Sequence, residues 1–333
     1  MYSTYTTAER HGYSVQFSTF ETDRLLLATS QLYGLAGGGS LFLLQHLPHK
    51  QGLSEVARLE WSDGLFDVAW CPYGNNIACT ASGDGSLQIW SGLDIPYDDS
   101  DSSDCLKMPQ KPVMCLREHK NEVYSVDWSE KWNYHQILSG SWDGAIKLWD
   151  CNRQKSVATY MGHSDLIYSA KFSPLVANIF ASVGTDGLLN LWNSFDFSGK
   201  PLMCIKAAHD AEILSLDWSQ FDRNVLVTGG ADGLVRGWDL RNMRQHVFEL
   251  FSGEFAVRRL AFSPHKASVL ASANYDFTTR IWDFGVSSDA IEVHEHHTEF
   301  VCGLDWNAAT PHQLVDCGWD SVVNVFTPKS LKL

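Results

Sequence analysis

An aspartate followed six residues later by a large aromatic recurs six times along this chain: Asp84/Trp90, Asp143/Trp149, Asp186/Trp192, Asp232/Trp238, Asp276/Trp282 and Asp320/Phe326. Counting back 23 or 24 residues from each aspartate reaches Trp61, His119, His163, His209, Gly253 and His297. Successive aspartates stand 59, 43, 46, 44 and 44 residues apart. A period of about 40–45 residues carrying a His and a late Trp-Asp is the signature of a propeller blade. The 333 residues are enough for two domains on length alone. Seven blades of about 45 residues, however, fill positions 1–333 as one closed all-β unit.

The third repeat shows the local pattern. Glu122-Val123-Tyr124-Ser125-Val126-Asp127-Trp128 alternates polar and apolar residues, as a half-buried strand does. Ile137-Leu138-Ser139-Gly140-Ser141 reads as the second strand, Trp142-Asp143-Gly144 as a hairpin turn, Ala145 to Trp149 as the third strand, and Ser156 to Tyr160 as the fourth. Glycine after the aspartate supplies the positive φ of a tight turn. The Asp-Gly pair stands at 84–85, 143–144, 186–187 and 232–233, then weakens to Asp276-Phe277 and Asp320-Ser321. The repeated His, Asp and Trp, joined by a strand Ser or Thr, are expected to form one buried hydrogen-bonded set per blade, such as His119, Ser139, Asp143 and Trp149. Buried polar groups persist only when they satisfy one another. On this reading His119, Asp143, Trp149, His163, Asp186, Trp192, His209, Asp232 and Trp238 are structural.

The first blade is degenerate: Gly12 to Phe17, Leu25 to Ser30 and Ser40 to Leu44 supply strands, but no Trp-Asp ends it. Val322 to Phe326 is expected to pair near the N-terminal segment, closing the ring and removing an exposed sheet edge. The 59-residue step requires an insertion, placed at 94–112, which contains Asp98-Asp99-Ser100-Asp101-Ser102-Ser103-Asp104. Acidic, Ser-rich and poor in apolar residues, it reads as a disordered spacer between blades two and three.

The remaining composition excludes several functions. No run of about 18 apolar residues exists, so no membrane span is expected. Met1 to Tyr13 lacks the apolar stretch of a secretory signal. A net charge of −14 repels nucleic-acid phosphates and anionic lipid and favours a basic partner. Eight cysteines without a C-x-x-C pair, with Cys79, Cys302 and Cys317 in predicted strands, read as reduced thiols. There is no phosphate loop, no G-x-S-x-G elbow and no H-E-x-x-H. Gly37-Gly38-Gly39 has no following helix to receive a phosphate. His294-Glu295-His296-His297 holds several metal-capable groups in a row, but His297 belongs to the repeat, and successive side chains are expected to diverge. No metal site, cofactor or enzyme activity is therefore expected. The C-terminal Leu331-Lys332-Leu333 matches the Ser-Lys-Leu peroxisomal address in two of three places, with Leu331 where a small residue is expected.

Propellers of this kind mostly present a surface, formed by the loops entering each first strand and by the hairpins carrying the repeat aspartate. Aligning the repeats puts Tyr13, Phe66, Tyr124, Tyr168, Leu214, Arg258 and Cys302 two places into the first strands. Two residues earlier stand His11, Gly64, Glu122, Leu166, Glu212, Ala256 and Phe300; just before the aspartates stand Gly83, Trp142, Thr185, Ala231, Tyr275 and Trp319. This ring is aromatic and apolar, with Glu122, Glu212, Asp63 and Asp67 as negative points. Large exposed aromatics call for a partner that covers them, and a carboxylate beside them for Arg or Lys. The implied ligand is a short amphipathic segment, basic at one end and apolar along one face.

Outside the bare repeat the chain carries longer strings in order around the ring. They include Arg10-His11-Gly12-Tyr13, Asp63-Gly64-Leu65-Phe66-Asp67-Val68, Ser82-Gly83-Asp84-Gly85-Ser86-Leu87-Gln88, Glu122 to Ser129 and Ser139 to Asp143. Later ones are Ala211-Glu212-Ile213-Leu214-Ser215, Arg236 to Asn242, Glu295 to Phe300 and Trp319-Asp320. In these strings the chain resembles the WD-repeat receptors for the type 2 peroxisomal targeting signal, over nearly its full length. The resemblance implies a seven-bladed WD-repeat β-propeller and a cytosolic receptor that cycles to the peroxisome matrix. Its ligand would be an N-terminal nonapeptide of matrix proteins such as thiolase: a basic residue, an aliphatic, five variable residues, His or Gln, then an apolar residue. In a helix positions 1, 2, 5, 8 and 9 of that peptide share one face. The resemblance further implies an import co-receptor over the exposed side of the cargo helix, and peroxisomal docking machinery. Glu122 is expected to pair with the basic residue, with Asp67 or Glu212 assisting. Phe66, Tyr124, Trp142, Tyr168, Leu214, Tyr275 and Trp319 are expected to line the groove. The 94–112 insert is not part of the family pattern.

Two rival readings use the same chain. Trp238-Asp239-Leu240-Arg241 matches the W-D-x-R pattern of propellers that serve as substrate adaptors of cullin-type ubiquitin ligases. A histone-tail reader would also set an acidic, aromatic face against basic segments.

Overall fold

Alternation of apolar residues makes each repeat a four-stranded antiparallel sheet, and seven such sheets form the blades of a β-propeller. The computed structural model describes residues 2–47, 52–74, 76–93, 111–129 and 135–332. The acidic insert at 94–112 thus lies outside the described residues except for 111 and 112. Blade 3 runs Val123–Trp128, Gln136–Ser141, Ile146–Asp150 and Lys155–Tyr160 from the axis outward. These bounds agree with the expected strands to within one residue. The innermost strands of the others are His11–Phe17, Leu65–Trp70, Ile167–Phe172, Ile213–Trp218, Val257–Phe262 and Val301–Trp306.

The ring is closed by the two ends of the chain. Tyr2–Thr6 pairs antiparallel with Val322–Phe326, from Tyr2 opposite Phe326 to Thr6 opposite Val322. Blade 7 therefore takes three strands from the C-terminal part and its outermost strand from residues that precede blade 1. Apolar side chains pack between neighbouring blades. Cys79, Leu87 and Ile89 of blade 2, for example, share one cluster with Val123, Trp128 and Trp149 of blade 3.

The expected polar sets are present in blades 3, 4 and 5. His119 Nδ1 lies 2.9 Å from Asp143, its Nε2 lies 2.7 Å from Ser139 Oγ, and Trp149 Nε1 donates to the same hydroxyl at 2.8 Å. His163, Ser182, Asp186 and Trp192 repeat this arrangement, as do His209, Thr228, Asp232 and Trp238. The donors fix one direction through each chain: indole N–H to hydroxyl, hydroxyl to Nε2, and Nδ1–H to carboxylate. Where His is missing, arginine substitutes. Arg280 reaches Asp276 at 2.6 Å in blade 6, and Arg117 reaches Asp84 at 2.6 Å in blade 2.

A second set of side chains ties the innermost strands to one another around the axis. Gln16 accepts from Trp70 N at 2.8 Å, Asp127 from Phe172 N at 2.7 Å, Asp217 from Phe262 N at 2.7 Å and Asp305 from Phe17 N at 2.8 Å. A cavity of about 350 Å³ opens among these residues at the lower end of the channel. Burial, with repulsion from Asp217, pushes the Asp305 carboxyl up to about 7, against the Phe17 and Trp306 amides and Lys171.

Two outcomes follow from this frame. Ser139→Ala leaves His119 Nε2 and Trp149 Nε1 buried without their shared partner, so the stability measured by urea denaturation should fall by about 2 kcal/mol. Asp305 binds its proton more tightly folded than unfolded, so its contribution is present at low pH and lost as pH rises from about 4 to 7. Asp305→Asn keeps the acceptor for Phe17 N without the charge. Its thermal midpoint should match that of the parent protein near pH 4 and exceed it at pH 8.

Candidate functional site

Each innermost strand carries a register shift after its first paired residue, or after its second in blade 1. The shifts lie between Gly12/Ser14, Leu65/Asp67, Val123/Ser125, Ile167/Ser169, Ile213/Ser215, Val257/Arg259 and Val301/Gly303. The skipped residues are Tyr13, Phe66, Tyr124, Tyr168, Leu214, Arg258 and Cys302. A bulge leaves one residue out of the ladder and re-aims its side chain. Here seven bulges deliver seven side chains to one end of the channel.

Those side chains, with neighbouring hairpin residues, form a continuous aromatic run. Tyr13 meets Phe66 with centroids 4.9 Å apart, Phe66 meets Tyr124 at 4.8 Å, Tyr124 stacks on Trp142 at 4.7 Å, and Trp142 meets Tyr168 at 6.1 Å. In the other direction Tyr13 meets Trp319 at 5.6 Å, Trp319 meets Phe300 at 5.2 Å, and Phe300 stacks on Tyr275 at 4.3 Å. The run covers blades 4, 3, 2, 1, 7 and 6. It breaks at blade 5, where Leu214 is buried and Glu212 is exposed. The indole N–H groups of Trp142 and Trp319 have no acceptor among the described residues.

The expected acidic points separate into two kinds. Glu122 is partly exposed, and its carboxylate has no partner among the described residues. Next to it Asp63, whose carboxyl accepts from Gly64 N at 2.7 Å, has a raised pKa, from burial first and then from the Asp84 and Glu122 charges. Glu122 and Asp63 thus concentrate negative potential beside the aromatic run, while the Asp84 carboxylate is paired with Arg117. Asp67 is different, and its expected role is corrected. It is 4% exposed, accepts from Val126 N at 3.0 Å and pairs with Arg259 across the channel at 2.9 Å. A carboxylate so committed is a strut of the channel wall, not a contact for a surface ligand. Phe66 is 3% exposed and Leu214 5%, so Phe66 forms the floor of the run and Leu214 stands apart from it.

Three features escaped the sequence reading as site residues. Tyr33, from the loop between the second and third strands of blade 1, stacks on His11 at 3.9 Å and meets Trp319 at 5.5 Å. The same loop raises Leu32 and Leu35, the latter 88% exposed, beside the aromatic run. Arg258, only 2% exposed, sets its guanidinium 5.3 Å from the Tyr124 ring, and its Nη2 finds no acceptor among the described residues. Arg258 stood at the repeat position in the alignment, but its place beneath an aromatic layer depends on ring closure. The Tyr33 loop lies in the degenerate blade and has no repeat counterpart to align with.

The WD domain, G-beta repeat family matches residues 54–91, 110–150, 154–193, 199–239 and 244–283. The matched stretches end on the five repeats that retain tryptophan, while blade 7 and the three inner strands of blade 1 lie outside them. The Peroxisomal targeting signal 2 receptor of Mus musculus is 42% identical over 322 residues, 97% of this chain and 95% of the relative. The chain belongs to the peroxisomal targeting signal 2 receptor family. Its human relative of the same name is 44% identical over 298 residues, 90% of this chain and 86% of the relative. Peroxisome biogenesis protein 7 of Arabidopsis thaliana is 35% identical over 316 residues, 95% of each chain. Membership in this receptor family gives no indication of an enzyme activity. No helix among the described residues is long and apolar enough to cross a membrane. The Arg241 side chain of the W-D-x-R string is exposed, but it folds back on Asp239, with Nε 2.9 Å from Oδ1.

In this family member the Tyr33 loop is held by close approach. A Cβ on Gly34, whose φ is +72°, would stand 2.7 Å from both Phe66 Cε1 and the Tyr13 hydroxyl. Tyr13 Oη also donates to Tyr33 O at 2.7 Å. Gly34→Ala should therefore cost at least about 1 kcal/mol in chemical denaturation, from the left-handed backbone alone. It should also free the loop for faster proteolysis.

Proposed function

We propose that this chain is a receptor for the type 2 peroxisomal targeting signal and that its bulge-built aromatic face is where the signal docks. The ligand is an N-terminal amphipathic helix on peroxisomal matrix proteins, thiolase among them, captured in the cytosol and carried to the peroxisome. The observation that carries this reading is the Glu122 carboxylate, without a partner among the described residues and beside Asp63, at the margin of the continuous aromatic run. A helix with a basic residue at one end and apolar residues at positions 2, 5 and 9 matches that sequence of charge and ring. Glu122, supported by Asp63, takes the basic residue. Tyr124, Trp142, Tyr168, Tyr275 and Trp319 cover the apolar stripe over the Phe66 floor. Glu212, at the break in the run, is placed for a second polar contact. Leu214 sets the width of that break. An import co-receptor would cover the outward side of the helix, and the exposed Leu32, Tyr33 and Leu35 lie beside the path it would follow. Delivery then passes to peroxisomal docking machinery.

Fluorescence anisotropy of a labelled nonapeptide with the Arg-Leu…His-Leu pattern, with and without co-receptor, tests the reading. Glu122→Lys should weaken binding at least tenfold, the scale of one charge-assisted contact replaced by repulsion. Its thermal midpoint should be unchanged, because that carboxylate holds nothing in the fold. The peptide with Arg replaced by Glu should bind the parent protein as weakly as the parent peptide binds Glu122→Lys. Equal binding by the parent protein and Glu122→Lys would refute the charge pairing, and no binding in any arm would refute the receptor reading.

A further inference from the structure

The histidine set of blade 7 departs from those of blades 3, 4 and 5 at three positions together. Where Ser139, Ser182 and Thr228 present a hydroxyl to the imidazole, blade 7 presents Asp316. Where a tryptophan donates to that hydroxyl, blade 7 has Phe326. A second imidazole, His296, joins the first. His297 Nε2 lies 3.0 Å from Asp316 Oδ1, and His296 Nε2 lies 2.7 Å from Asp316 Oδ2. The sequence reading expected adjacent side chains to diverge. These two sit in the irregular segment before the innermost strand, where both can turn to one carboxylate.

Two carboxylates are buried together in this set. Asp316 is completely buried and Asp320 largely so, and neither meets a lysine or arginine among the described residues. An uncompensated buried charge is costly. A divalent cation held between the two imidazoles would offset both carboxylates.

We infer that His296, His297 and Asp316 form a binding site for a divalent transition-metal ion of the zinc type, at the seam where the propeller ring closes. Ligand atoms 2.7 and 3.0 Å apart, all three within 4.8 Å of one another, can converge on one ion at about 2.0–2.2 Å with small adjustment. Two imidazoles and a carboxylate suit zinc and its neighbours rather than calcium or magnesium. The outer contacts hold the ligands as such ions require. His297 Nδ1 faces Asp320 at 2.9 Å, which leaves Nε2 toward the ion, and Thr279 Oγ1 donates to Asp316 at 2.7 Å from blade 6. His296 remains partly exposed, which gives an entry path and leaves one coordination position for water. Tyr2 of the closing strand meets His296 at 5.2 Å and Phe326 at 5.7 Å. The ion would therefore brace blade 6, blade 7 and the closing strand, apart from the peptide-binding residues.

The test uses the full chain, stripped with a chelator and titrated separately with Co²⁺ and Zn²⁺. One equivalent of Co²⁺ should give visible absorption bands of a low-coordinate site, and Zn²⁺ should raise the thermal midpoint. Asp316→Ser installs the hydroxyl that blades 3 and 4 use and so should fold, while His296→Gln leaves the repeat histidine in place. Both should lose the bands and bind at least tenfold more weakly. A parent protein with neither bands nor a thermal shift would overturn the proposal. So would a zinc-induced shift of full size in Asp316→Ser, because the ion would then be elsewhere.

Discussion

Closure of the ring is the constraint on which everything else in this molecule depends. Five residues at one end of the sequence must find five near the other, Tyr2–Thr6 against Val322–Phe326, before the last blade is complete. Only then does each blade have two neighbours against which to bury its apolar faces, and only then do seven innermost strands surround one channel. The Asp67–Arg259 ion pair, between blades 2 and 6, exists solely because the ring is closed. The same holds for the Asp305 contact with Phe17, which joins blade 7 to blade 1.

Within that ring, local irregularity has been made regular. Each innermost strand breaks its ladder at the same place, and seven bulged residues turn toward one end of the channel. A single bulge would redirect one side chain; seven in register convert strand residues into a surface. Because these strands are each hydrogen-bonded into a blade and packed around the channel, an aromatic run built on them is preorganised for a partner. The negative corner at Glu122 and Asp63 belongs to the same construction, since both lie in loops that enter innermost strands.

The His–Asp–Trp sets show how a repeat tolerates loss. In blades 3 to 5 a hydrogen-bonded chain runs from indole to carboxylate with every donor matched. Arginine bridges the gap in blades 2 and 6. Blade 7 alone replaces the hydroxyl with a carboxylate, which adds a second aspartate to the set.

The sequence by itself determined the number of blades, their strand order and the residues of the polar sets, because all of these depend on spacing along the chain. It also placed Tyr124, Trp142, Tyr168, Tyr275 and Trp319 at equivalent repeat positions, so the aromatic character of one face was legible before any geometry. It did not separate Asp67 from Asp63: both are acidic residues at the head of one strand, and only a partner four blades along the sequence, Arg259 of blade 6, removes the first from the surface. The Tyr33 loop was equally hidden, since blade 1 lacks the repeat that would align it. The convergence of His296 and His297 on Asp316 was decided by an irregular backbone segment and a neighbouring strand. Periodicity reports what each repeat shares, whereas contacts between blades and departures from the ladder are settled only when the ring has closed.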